Sequence, residues 1–334
     1  MMKNFISIGL ILLLFGCIER TNKKHADNVN KKVLEAEYSI DRLSDSTFLG
    51  DVTSIYKYKE GIIMVDSKRR SIISLSDEFE LRNIFGQKGR GPGDFLNIRN
   101  LYLYGDTIIV PDVGKKQMQY YDINGKFLGS IRLDNSITPD LRFCINENGN
   151  YYISKTYSKA PIMKYNKSGE FISSFGNKIS NLKSSFEITS PDYCYLFIYR
   201  NHYLLAISRN RPIIALFDLE TEKLINYLNL SENPLFKERI LFNAPLIKNG
   251  PNGHYNFFSD AFLDKDKLFL SYYSTNKRGA ECSNILELDI KKDSISMVQN
   301  FELKEKVWIG AMCISMNHLY IYDGLHAQLI KYQL

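Results

Sequence analysis

The sequence predicts an all-β fold: a six-bladed β-propeller with four antiparallel strands per blade, the last blade closed by an N-terminal strand. Three observations carry this expectation. A strand–loop–strand–turn–strand unit recurs six times at a period of roughly 45–60 residues, the spacing of propeller blades. The composition suits strands, with 13% aromatic residues, 22 Tyr and 20 Phe against 24% charged residues. The sixth unit stops one strand short at Leu334, while an unused apolar–polar stretch lies near Val33–Leu43.

The units can be taken in order. The first runs Gly61–Asp66, a loop Ser67–Arg70, Ser71–Ser76, a turn at Asp77-Glu78, then Leu81–Phe85. The second has Asp106–Asp112, a loop Val113–Lys116, Gln117–Asp122, a turn over Ile123–Lys126 and Phe127–Ile131. Its Asn124-Gly125 pair is a strong hairpin signal, because both residues tolerate positive φ. The third, fourth, fifth and sixth begin at Asn150, His202, Lys267 and His318. A further strand precedes each unit, for example Asn100–Tyr104 and Trp308–Ile314. No helical pattern is evident between units, which argues against an α/β arrangement. One blade cannot bury both faces, so the blades must stack and the ring must close. An open ring would leave unsatisfied strand edges. The stretch near Val33–Leu43 is expected to close it.

The N-terminus reads as a targeting segment. Lys3 precedes an apolar run from Phe5 to Phe15. That run is too short for a bilayer core of ~30 Å, which needs about 20 helical residues. The ending Leu14-Phe15-Gly16-Cys17 resembles a bacterial lipobox. The resemblance implies a signal peptide over 1–16, cleavage before Cys17, and a diacylglycerol and N-acyl (palmitate-type) anchor on that cysteine, enough chains for stable attachment. Residues 17–32 are polar and rich in Lys and Asn, and read as a flexible tether. The propeller is expected over 33–334. No later segment is apolar over ~18 residues, so no membrane span is expected after the signal. Of five cysteines, Cys144, Cys194, Cys282 and Cys313 remain after lipidation. An exported location permits disulfides, but no CxxC or metal-type spacing appears, and buried small hydrophobes is the simpler reading.

The segment Phe85-Gly-Gln-Lys-Gly89-Arg90-Gly91-Pro92-Gly93-Asp94-Phe95 has a direct physical reading as a tight crossing between blades. Gly89, Gly91 and Gly93 would allow unusual backbone angles, and Pro92 fixes one. A phosphate cradle is not expected, because no helix follows and no Gly-Lys-Ser/Thr is present. The segment resembles the signature of six-bladed TolB-like or NHL-like propeller lipoproteins of Gram-negative bacteria. That resemblance implies the fold and an envelope location, lipid-anchored to the outer membrane and facing either the periplasm or the exterior. It implies no reaction.

In a propeller, loops between second and third strands share one face with the inter-blade crossings. Those loops are basic: Lys68, Arg69 and Arg70; Lys115 and Lys116; Lys159; Arg209 and Arg211; Lys277 and Arg278; then His326, with Lys88 and Arg90 from a crossing. The opposite turns are largely acidic. Recurrent positive charge suits an anionic ligand or an acidic protein surface, with Arg69, Arg90, Lys115, Arg209, Arg211, Arg278 and His326 as candidate contacts. The alternative is ordinary solvated loop charge. Acidic glycans and anionic headgroups are eligible partners, and nucleic acid is not expected outside the cytoplasm. Asp66, Asp112 and Asp323 end matching second strands; they would either cap their own loops through backbone N–H groups or line the channel. The sequence shows no HExxH and no GxSxG, so no catalytic residue, cofactor or metal is predicted. The expected function is a membrane-anchored binding module. The alternative is a propeller-type hydrolase or lyase using channel carboxylates, with or without a divalent cation.

Overall fold

The computed structural model describes residues 29–133, 142–155, 160–176, 193–248, 255–276 and 279–334. The chain opens with β1 (Asn30–Leu34), β2 (Ala36–Ile40), and a small hairpin of β3 (Arg42–Ser44) and β4 (Thr47–Phe48). Blade 1 holds β5 (Val52–Lys57), β6 (Gly61–Asp66), β7 (Ser71–Ser76) and β8 (Leu81–Phe85). Blade 2 holds β9 (Tyr102–Tyr104), β10 (Thr107–Asp112), β11 (Gln117–Asp122) and β12 (Phe127–Arg132). Blade 3 holds β13 (Cys144–Ile145), β14 (Tyr151–Ser154), β15 (Ile162–Tyr165) and β16 (Phe171–Phe175). Blade 4 holds β17 (Cys194–Tyr199), β18 (Tyr203–Ser208), β19 (Ile213–Asp218) and β20 (Leu224–Asn229). A helix, α1 (Pro234–Lys248), then leads to blade 5, made of β21 (Phe258–Asp264), β22 (Lys267–Asn276), β23 (Gly279–Ile290) and β24 (Ile295–Leu303). Blade 6 holds β25 (Ile309–Ser315), β26 (His318–Asp323) and β27 (Gln328–Gln333).

The expected closure is present. Strand β2 pairs antiparallel with β27 in the register Ser39↔Ile330 and Ile40↔Leu329, giving blade 6 its outermost strand. One strand goes beyond expectation: β1 pairs parallel with β24, from Asn30↔Gln299 to Leu34↔Leu303, as a fifth strand on blade 5. Asn30, Lys31 and Lys32, read above as tether, are therefore strand. Only Leu34 of β1 is buried. Backbone pairing to an open edge needs no apolar alternation, which is why the pattern was silent.

Burial follows blade position. Second strands such as β6 are buried throughout, whereas outer β12 alternates half-buried and exposed. Each sheet packs against its neighbours: Ile55, Met64 and Ile73 of blade 1 share one apolar cluster with Ile309, Met312 and Leu319 of blade 6. Five blades shift register near the end of the third strand, for example at Ser74/Leu75 and Leu216/Phe217. Such bulges add twist.

Helix α1 corrects the expectation that nothing helical interrupts the units. Asn233 caps it, its Oδ1 accepting the N–H of Leu235 at 3.0 Å, and Pro234 takes the first helical position. The inward positions are Phe236, Arg239, Ile240 and Asn243, at i, i+3, i+4 and i+7; Arg239 is 6% exposed and Asn243 1%. Two polar residues on the buried face erase the apolar stripe that sequence reading relies on. Arg239 is accommodated by donating to the carbonyl of Asn256 and lying over the Tyr273 and Phe242 rings.

Candidate functional site at the channel mouth

The innermost strands β5, β9, β13, β17, β21 and β25 surround the axis, and the chain enters each from the face that carries the inter-blade crossings. At that face the axis widens into a cavity of about 560 Å³ to which all six blades contribute. Its lining includes Asp51 and Ser54 of blade 1, Arg99 and Asn100 of blade 2, Arg142 of blade 3, Tyr195 and Arg209 of blade 4, Asp260 of blade 5 and Trp308 of blade 6.

Arg142 forms the floor. It is 2% exposed and crosses the axis from blade 3. Its Nε and Nη2 donate to the two carboxylate oxygens of Asp260 at 2.9 and 2.7 Å. Nη2 also donates to the carbonyls of Met312 (2.8 Å) and Ile55 (3.3 Å). The guanidinium stacks 4.6 Å from the centre of the Tyr56 ring. One side chain thereby ties blades 3, 5, 6 and 1. Burial opposes the charge, but Asp260 and Tyr56 more than offset it and hold Arg142 above the ordinary arginine range. Asp260 also accepts N–H groups from Ala261 and Met312 at 2.8 and 2.9 Å. With both oxygens committed, it is poorly placed to act as a base. Sequence reading missed this pair. Its members lie 118 residues apart, and the one local signal is a lone Asp within the apolar run Phe257–Leu263.

Asp66, Asp112 and Asp323 hold the loops, as the capping reading expects, and do more. Each is fully buried. Asp66 accepts N–H groups from Gly50, Asp51 and Arg69 at 2.8–3.1 Å. Asp112 accepts from Leu96, Asn97 and Lys115 at 2.8–3.2 Å. Asp323 accepts from Trp308 and Leu325 at 2.8 and 2.9 Å. Each thus clamps its own loop to the chain entering the innermost strand of the same blade. The residue four positions on, Arg70, Lys116 or Ala327, is left-handed with φ 54–57°.

The loop cations take their places from this clamp. Three of the candidates, Arg69, Lys115 and His326, stand three residues after the aspartates. Arg69 donates to the carbonyl of Phe48 and lies 3.5 Å from Asp66. Lys115 Nζ donates to the carbonyls of Gly91 and Asp94, both at 2.7 Å. His326 Nδ1 meets Asp323 Oδ2 at 2.5 Å. Arg90 is exposed in the crossing, and Arg211 is 8% exposed. None of these five lines the cavity; of the candidates, Arg209 does. In blade 4 the clamp position holds Ser208. There the Arg209 N–H donates to the carbonyl of Tyr193 and its own carbonyl accepts from Phe257, at 2.7 and 2.8 Å. Blade 4 thus sets a cation at the mouth, whereas blades 1 and 2 hold Arg69 and Lys115 on backbone carbonyls and blade 6 holds His326 on the Asp323 carboxylate. Lys159, Lys277, Arg278 and Cys17 lie outside the described residues.

The glycine-rich crossing spans 86–101. Gly93 is left-handed, φ +80°. Gly89 serves a different need from the unusual angle expected of it: a Cβ there would lie 2.2 Å from Asp94 Oδ2. Cys144, Cys194, Cys282 and Cys313 are buried free thiols. Burial pushes Cys282 up to about 12. Among the described residues, no three His, Cys, Asp or Glu side chains are placed to share a metal ion.

Solved structures share the architecture. A candidate exported protein from Bacteroides fragilis aligns over 88% of each chain at 14% identity, TM-score 0.57. A DUF4221 family member from Bacteroides vulgatus aligns over 90% of this chain and 97% of its own at 10% identity, TM-score 0.60. A streptogramin B lyase aligns over 89% and 97% at 12% identity, TM-score 0.51. At such identities the likeness is one of fold. None of the curated proteins matches the chain. The sequence model of the family DUF5128, described as a six-bladed β-propeller, matches residues 21–191. With that match and the six four-stranded blades, the chain belongs to the DUF5128 family of six-bladed β-propellers.

Proposed function

We propose that the chain is an envelope lipoprotein, anchored to the outer membrane through Cys17, whose propeller binds an anionic ligand or acidic surface group at the channel mouth. The carrying observation is the cavity itself: a polar opening shared by all six blades, with Arg99 and Arg209 on its wall. The Arg142–Asp260 pair is satisfied within the floor, and Arg99 and Arg209 bring guanidinium charge to the wall. A low-dielectric concavity strengthens such a charge, and guanidinium forks suit carboxylate, sulfate or phosphate. The TolB-like or NHL-like resemblance supports the envelope location, as does the neighbour described as a candidate exported protein.

Two measurements test this reading. Protein purified from membranes and denatured should expose four reactive thiols of the five cysteines, because a thioether on Cys17 removes the fifth; five thiols would refute the anchor. The detergent-solubilised full chain should bind at least one of galacturonate, acetate, inorganic phosphate and an acidic peptide in calorimetric titration. Arg209→Gln should weaken that binding about tenfold, roughly 1.4 kcal/mol. Unchanged binding would remove the mouth from the account.

A further inference from the structure

We infer that the crossing face of blades 5 and 6 docks on the membrane: Leu241 and Phe242 of α1, with Trp308 and Leu325, rest on the phospholipid surface that holds the Cys17 anchor. The inference rests on the anchor of the proposed function and is independent of what the mouth binds.

Helix α1 keeps apolar residues on the side where a surface helix should be polar. It buries Arg239 and Asn243, while Leu241 is 72% exposed and Phe242 is exposed beside it. A helix that is apolar all round is normally covered all round. The pair continues into a larger patch. The Arg239 guanidinium lies 5.5 Å from the centre of the Phe242 ring and 5.3 Å from that of Tyr273. Tyr273 packs on Trp308 with centroids 5.5 Å apart. Trp308, the only tryptophan of the chain, is exposed, and Leu325 is 59% exposed. These two border a hollow of about 210 Å³ that Leu303 and Val307 also line. One oxygen, Asp323 Oδ1, accepts the N–H groups of both Trp308 and Leu325, at 2.8 and 2.9 Å. Both apolar side chains are therefore presented from one fixed joint. The helix and Trp308 lie in inter-blade crossings and Leu325 in a loop between second and third strands, so all four share a face. A contiguous apolar patch of this kind marks a contact surface.

The path of the chain says what covers it. Val29 packs on the apolar cluster that also takes Leu235, Ile240 and Ala244 of α1. The pairing of β1 with β24 then fixes that end of the chain to blade 5. Cys17 stands twelve residues before Val29, a span of at most about 40 Å when fully extended. The lipid is thereby held on the α1 side of the disc. A surface tethered so closely acts at high effective concentration, so a weak patch suffices to keep the face down. The residue types agree, since Trp, Phe and Leu are the side chains that settle at a bilayer interface. Charge beside the patch is mixed: Lys237 neighbours Glu238, and Lys304 pairs with Glu35 at 2.7 Å. Apolar contact, rather than attraction to anionic lipid, carries the docking.

The lone tryptophan makes the test direct. The full chain, purified from membranes, is reconstituted into phosphatidylcholine vesicles with or without bromine on the acyl chains near the headgroup. Brominated vesicles should quench at least about half of the Trp308 emission, because the indole sits at the interface. Leu241→Asp with Phe242→Asp should remain in the vesicles and lose most of that quenching, and Leu241→Met with Phe242→Leu should keep it. Far-ultraviolet circular dichroism confirms that each variant is folded. Equal emission in the two kinds of vesicle would overturn the inference. So would an unquenched Trp308 that is shielded from aqueous iodide in native membranes, which would give the face to a protein partner. The anchor is judged separately by the thiol count: quenching with five free thiols would keep the docking face and refute the anchor alone.

Discussion

Blade 2 and blade 4 present the same loop to the same face and use it differently. In blade 2, Asp112 ends the second strand, gathers three backbone N–H groups, and Lys115 pins the crossing by two carbonyls. In blade 4, Ser208 takes that position and Arg209 lines the mouth. Recurrence across blades 1, 2 and 6 marks architecture, because identical joints need identical clamps. The departure from the repeat marks the place where a blade has something else to do.

The contrast can be sharpened by substitution. The largest effect is expected at the floor. Asp260→Ala should cost about 3–5 kcal/mol, because it strands a buried guanidinium. Urea denaturation measures it, and replacing both partners by Arg142→Met with Asp260→Leu should recover much of the loss. A single-variant cost below about 1 kcal/mol would mean that Arg142 finds other partners. Asp112→Ser, which gives blade 2 the residue of blade 4, should cost roughly 1–3 kcal/mol through unsatisfied buried N–H groups. A neutral outcome would dissolve the distinction between clamp and mouth.

Much of the fold was legible in the sequence because blade strands alternate with turns that have strong local chemistry, as at Asn124-Gly125. Closure by β2 was legible from one missing strand. Helix α1 was not, since Arg239 and Asn243 occupy positions where periodicity looks for apolar residues, although Asn233-Pro234 announced its start. The site was half legible. Its face was indicated by the loops, but the cations that recur most regularly, Arg69 and Lys115, do so because each stands three residues after a clamping aspartate. Arg142 and Asp260 meet across the axis from distant blades, and no local pattern could pair them.

Mouth and rim cations are expected to divide the labour, the first binding and the second holding the fold. Two double variants, each measured for urea stability and for affinity toward the tightest-binding acidic probe, decide this. Arg99→Gln/Arg209→Gln should lose at least about tenfold in affinity. Arg69→Gln/Lys115→Met should bind as the parent does and lose about 1–3 kcal/mol of stability from severed charged hydrogen bonds. The reverse pattern, with binding lost at the rim and kept at the mouth, would contradict the account.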